Sequence, residues 1–309
     1  MYRSIVIVGF AALFGIGCSS GDADTAEARA AYVAEIETWR AGRMDRLRAD
    51  NGYLNLAGLF WLQDGTSSFG SADDNDIQFP AAAAPHVGEF ETTDFGVRMT
   101  VSSDADVRFD GAPVESILMH DDTTETPITV TSGRLAWGVV NRQGMIGVRL
   151  RDFDHPALEA LPPIPHFDVN SSWRLEGELR LFEKPKVMNV GTVIEGLGYN
   201  PTSPGRIAFE VGGETYELDA YQSGDRLFFV FADATSRGDT YPAGRFMYAE
   251  WPGEDGKTML DFNKSYNPPC VFGDFATCPV ASPRNRLPIR IAAGEKYIPE
   301  LHVGSLTSH

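Results

Sequence analysis

The longest apolar run of the chain, Ile5 to Ile16, sits behind the lone cation Arg3 and just ahead of Gly17-Cys18. It is too short to span a bilayer as a helix and suits the apolar core of a secretory signal. Small, acidic residues follow, so 1–17 is predicted as a leader and 18–31 as an acidic tether. From Ala26 to Leu47 the pattern becomes helical. Tyr32, Ile36, Trp39, Arg40, Arg43 and Leu47 recur at three- and four-residue steps, which predicts an amphipathic helix over 32–50. Arg40, Arg43, Arg46 and Arg48 gather at its C-terminal end, where they complement the helix dipole or, alternatively, meet an anion. After Asn51-Gly52 short alternating or β-branched segments take over, such as VRMTVSS, PITVTSG and IGVRLRD, between Gly, Asp and Ser breaks. The Pro-rich stretch LEALPPIPHF marks a boundary between a β region over 51–160 and a second one over 168–300. In the second region Gly212-Gly213 signals a tight hairpin. The expected fold is mainly β: an N-terminal helix, a β-sandwich-like region, then an antiparallel barrel or sandwich.

Composition adds the compartment and the partners. With 43% hydrophobic residues the chain can bury a sizeable core, and 26 basic against 43 acidic residues give a net charge of -17. A phosphate backbone needs a positive surface, so nucleic acid is excluded as a partner. Gly-Ile-Gly-Cys resembles a bacterial lipobox, with Gly15 where Leu is usual. Three outcomes follow for this segment: lipid on Cys18 after cleavage, a plain cleaved signal, or an uncleaved anchor. The first is the expectation, giving an exported protein held to the cell envelope by lipid on Cys18. An acidic body must be held that way, since an anionic leaflet repels it.

Familiar catalytic signatures are missing. The sequence has no G-x-S-x-G elbow, no H-E-x-x-H and no phosphate-binding loop. Gly196-Leu197-Gly198 lacks the rest of a dinucleotide fingerprint. The six histidines are scattered, so neither a metal nor a cofactor is expected. Cys270 and Cys278 are left over once lipid has taken Cys18. In an oxidising compartment they are expected to pair and to hold the strap NPPCVFGDFATCPVASP.

The polar residues around that strap carry the candidate chemistry. Strand alternation through KTMLDFNKSY would put Met259, Asp261, Asn263 and Ser265 on one face. Asp233 ends the apolar strand RLFFVFADAT, Arg245 lies in AGRFMY, Tyr266 and Asn267 lead into the strap, and Asn285-Arg286 leave it. One reading is a buried structural network, which must be fully satisfied. The other is a pocket for a small anionic ligand held by Arg245 and Arg286. Two further functions compete. A metal-independent hydrolase would use Asp233 or Asp261 as general base, Arg245 or Arg286 as anion stabiliser and Tyr266 as hydroxyl donor. A structural envelope protein would dock a partner, with LAGLFWL as an exposed patch, although a place in the core is the expected one for that segment.

DATSRGDTYPAGRFMYAE, LDFNKSYNPPCVFGDFATCPVASPRNRLPIRIAAGEK and LNLAGLFWLQDGTSSFGSADDNDIQFP resemble the bacterial and archaeal proteins grouped as domain of unknown function 1684. The resemblance runs from about Trp39 to Tyr297 and implies no activity. Its motif positions here are Asp233, Arg245, Asp261, Asn263, Tyr266, Asn267, Cys270, Cys278, Asn285 and Arg286. Separately, FGSADDNDIQFP is similar to the start of a forkhead-associated sandwich. Ser71 stands where that fold carries its phosphate-binding Arg, so phosphopeptide binding is not implied. The plain alternative is a turn over Asp73-Asp74-Asn75-Asp76.

Overall fold

The computed structural model describes residues 20–305. The leader and Cys18 lie outside the described residues. Helix α1 runs Ser20–Arg48, so it starts inside the segment expected as a tether. It is not amphipathic in the usual broad sense. Few side chains are buried, chiefly Tyr32, Ile36, Arg43 and Leu47, at spacings that bring them to one side. Long-range bonds to the second β region fix the helix instead. The Tyr32 hydroxyl donates to Asp261 at 2.7 Å, and Arg43 pairs with Glu295 at 3.3 Å. The chain turns out of the helix at Gly52, whose missing side chain leaves room for the carbonyls of Leu47 and Ala49. No described helix is long and apolar enough to cross a membrane.

Residues 56–152 form a sandwich. One sheet has six strands, among them Leu56–Trp61, Leu135–Arg142 and Met145–Asp152. The other has five, built around Thr66–Gly70, Gly88–Thr93 and Gly96–Val101. Alternate residues of both sheets face inward, so Phe69, Phe90 and Met99 meet Trp137, Val148 and Leu150 in one core. Phe69 and Phe90 stack with centroids 4.0 Å apart. The last hairpin of the six-stranded sheet turns at Gln143-Gly144, both with positive φ, as a two-residue turn requires. The LAGLFWL segment is an edge strand of this sheet; Leu56 is buried, and Phe60 and Leu62 pack against the core.

Residues 161–170 carry no strand and lead into a six-stranded antiparallel sheet. Its longest strand, Arg174–Val187, pairs with both Thr202–Val211 and Lys257–Asp261. Thr202–Val211 and Glu214–Ser223 are joined at Gly212-Gly213, with φ of +62° and +83°. The sheet curls until its two edges, Arg245–Glu250 and Lys257–Asp261, lie side by side: Thr258 Oγ1 donates to the Glu250 carbonyl at 2.8 Å. It is thus a nearly closed barrel. After the exposed Arg226, the strand Arg226–Phe231 is apolar because both faces are covered. Leu227, Phe229 and Phe231 fill the barrel, and Phe228 and Val230 pack outside against Ala276, Cys278 and Ala281 of the strap.

Two local expectations are corrected. Alternation stops at Asp261, because residues Phe262–Lys264 form a 3-10 turn that Asp261 caps by accepting from the Asn263 amide at 3.1 Å. Met259 and Asp261 lie on the outer face of the strand, since Leu260 and Phe262 fill the barrel and Met259 is exposed, and Asn263 and Ser265 do not continue that face. Cys270 and Cys278 are free thiols rather than a disulfide; they are nonetheless neighbours, with the Cys270 amide donating to Cys278 Sγ at 3.0 Å.

Candidate functional site

The polar residues singled out in the sequence separate into three environments. Asp233 and Arg245 form an ion pair at 3.3 Å with both side chains buried. Asp233 also accepts from the Ile291 amide and from Thr235 Oγ1, each at 2.6 Å. Arg245 donates to the carbonyls of Ile291, at 3.2 Å, and Ala293. Burial pushes the Arg245 guanidinium below its ordinary range, and Asp233 opposes the shift. Asn285 is equally internal and ties the Asp219 and Val230 carbonyls together. Asn263 bonds Asn170 and Tyr32, and Asn267 donates to Glu295 and to the Lys296 carbonyl. These residues hold the strand ends and the strap. Arg286, by contrast, is exposed on the surface. Asp233 and Asp261 have no partner in common among the described residues, and Asp261 is engaged by Tyr32, Asn263 and Lys264.

Only Asp261 and Tyr266 of that set line a cleft, a cavity of about 830 Å³ between α1 and the outside of the barrel. Its floor is aromatic. Tyr248 and Tyr266 lie near parallel, 14° apart with centroids at 6.3–6.4 Å from their neighbours' rings: Tyr248 to Tyr266 is 6.4 Å, and Trp39 to Tyr266 is 6.3 Å. Burial first, then Tyr248, raises the Tyr266 hydroxyl above the ordinary range, so it stays a neutral donor. Sequence position explains this floor: Tyr248 lies on the strand Arg245–Glu250, and the Tyr266 backbone bridges to Phe246 of that strand.

Cations rim the aromatics. Arg43, Arg46, Arg174, Arg226 and Lys264 line the cleft against the acids Glu250 and Asp261, the reverse of the chain's overall balance. Their states differ. Arg43 lies 4.6 Å from the Tyr266 ring centroid and is neutralised by buried Glu295. Lys264 pairs with Glu35 at 2.6 Å, and Arg174 reaches the same carboxylate only at 4.0 Å. Arg46 and Arg226 have no carboxylate within 4.0 Å among the described residues. Arg46 lies over Trp39 at 6.0 Å and Arg226 over Tyr248 at 4.3 Å. Partial burial, then repulsion from Arg43 and Arg226, holds Arg46 below the ordinary arginine range. Two exposed guanidiniums that lie over ring faces and make no ion pair among the described residues can take an anion by charge-assisted hydrogen bonds while the rings take a flat apolar body.

Besides Asp261 and Tyr266, the sequence offered one pointer to this arrangement, the arginine run ending α1. Arg226, Tyr248 and Tyr53 had none, because their strands and loop meet α1 only through the fold.

Among solved structures, an uncharacterised protein of Haloarcula marismortui is similar at 26% identity over 45% of this chain and 83% of that one, with a TM-score of 0.37. The FHA-2 domain of a Mycobacterium tuberculosis ABC transporter is similar at 28% identity over 28% of this chain and 77% of that one, with a TM-score of 0.22. No curated protein matches the chain significantly. Residues 159–296, which contain every strand of the barrel and the whole strap, match the family described as "Protein of unknown function (DUF1684)".

Proposed function

We propose that this is a lipid-anchored envelope protein that binds a small anion with a flat apolar body in the cleft between α1 and the barrel. The reading rests chiefly on Arg46 and Arg226, two guanidiniums without a carboxylate partner over the rings of Trp39 and Tyr248. Both side chains are open to solvent and near enough for Arg226 to repel Arg46, so an anion that reaches the cleft can be held between them. The anion-binding role expected for Arg245 and Arg286 passes to these residues, since Arg245 is committed to Asp233. Attachment through Cys18 is supported by the apolar run, the single cation and the small residues before that cysteine.

The test is calorimetric titration of the full chain with biphenyl-4-carboxylate and with its uncharged carboxamide. The carboxylate is expected to bind at least about tenfold tighter. Arg46→Gln and Arg226→Gln are each expected to cost about 1.5–3 kcal/mol of that affinity, as lost hydrogen bonds to a charged group do. Equal binding of acid and amide, or unchanged affinity in both variants, would sink the reading. The intact mass of envelope-purified protein reads the attachment, as acyl chains on Cys18.

A further inference from the structure

A second hollow, of about 490 Å³, opens beside the first toward the sandwich. The two share Tyr53, Phe228, Phe246 and Pro269, all apolar or aromatic. Phe228 and Phe246 meet edge to face at 5.0 Å, so the shared part is a firm aromatic ridge. On its far side stands Arg149, from the strand Met145–Asp152. Its Nε is buried without a hydrogen-bond partner, and no described carboxylate lies within 4.0 Å. Its neighbour Arg142 behaves differently, being paired with Asp122 at 2.6 Å and bonded to Thr277 at 3.2 Å. The local acid is thus already used, and Arg149 is left over.

A largely buried guanidinium without an ion-pair partner is costly: burial and then Arg142 depress its proton affinity, and Asp122 opposes them only from beyond pairing distance. The surroundings suit an anion. The Gln143 amide, on the exposed Gln143-Gly144 turn, lines the hollow and makes no hydrogen bond among the described residues. Gly198 makes room for it, because a side chain there would meet Gln143 Nε2 at 2.5 Å.

We infer that the two hollows are one binding site with an anion position at each end, Arg149 at one and Arg46 with Arg226 at the other. The ligand class is then an elongated dianion with a flat apolar middle lying over Phe228 and Phe246. This rests on the reading of the first hollow given above and extends it.

The experiment compares monoacids with diacids of graded length on the full chain: naphthalene-2,6-dicarboxylate, biphenyl-4,4'-dicarboxylate and terphenyl-4,4''-dicarboxylate, each against its monoacid, by calorimetry. One diacid is expected to bind at least about tenfold tighter than its monoacid, with one molecule per chain. Arg149→Gln is expected to collapse that ratio to near one, whereas Arg46→Gln lowers both affinities. The wild-type ratio needs no variant, so misfolding cannot hide the answer. Tight monoacid binding with no diacid gain at any length overturns this inference and leaves the first reading standing. Two independent molecules per chain also overturn it. Failure of every monoacid and diacid overturns both.

Discussion

Replacing Arg245 by alanine is expected to destabilise the fold heavily. Its guanidinium and the Asp233 carboxylate are shut from solvent, with side-chain exposures of 1% and 0%. Alanine would strand Asp233 as a buried charge whose remaining donors are the Ile291 amide and Thr235 Oγ1. Removing one member of a buried pair costs about 3–5 kcal/mol. The carbonyls of Ile291 and Ala293 also lose a donor, adding on the order of 1 kcal/mol each. For a chain of this size the sum lowers the melting temperature by on the order of 10 °C. Thermal and urea unfolding followed by circular dichroism measure it. The double variant Asp233→Asn/Arg245→Met removes both charges, so its loss should fall well short of the summed single losses. If Arg245→Ala melts within about 2 °C of wild type, the residue is not a structural counter-ion and the network has been misread.

Two further outcomes follow from buried positions. His166 is pushed down to about 4 from 6.5, by burial first and then by Arg40. A depressed histidine stabilises the fold fully above 6.5 and loses that contribution as pH falls toward 4. Melting temperature should therefore drop more steeply between pH 7 and 5 in wild type than in His166→Gln; parallel curves would contradict this. Gly294 has φ +78°, and a side chain there would run into the carbonyls of Ser265 and Phe262, whereas Gly65 at φ +101° has open space. Gly294→Ala should cost more than about 2 kcal/mol and Gly65→Ala about 1 by urea unfolding, and the reverse order would be wrong for this backbone.

The helix, the two β regions and the Gly212-Gly213 hairpin were legible because periodicity and turn chemistry are local. Asp261 shows where locality ends. Alternation carried the strand through Asn263, but the Asp261 carboxylate bonds the Asn263 amide and bends the chain into a turn. The polar cluster was visible as a set of residue types. Whether each member faced a pocket or a protein partner depended on what lay across from it. Arg245 meets Asp233, and Asn285 meets Asp219 and Val230, so neither is free for a ligand. The cleft itself draws on Trp39, Tyr53, Arg226 and Tyr266, which no local pattern links. Apart from Asp261 and Tyr266, the arginine run on α1 hinted at it, and a helix dipole explains such a run equally well.

Helix α1 gives the cleft one whole wall, and this decides what can be cut from the chain. A fragment holding only 159–296 would keep the strands and the strap but lose Trp39, Arg43 and Arg46. Glu295 would remain without its guanidinium and Asp261 without the Tyr32 hydroxyl. Arg149 and the far hollow would go with the sandwich. The segment by which the chain is recognised is therefore smaller than the unit that could hold a ligand, and a binding assay on that segment would be testing an open half-shell.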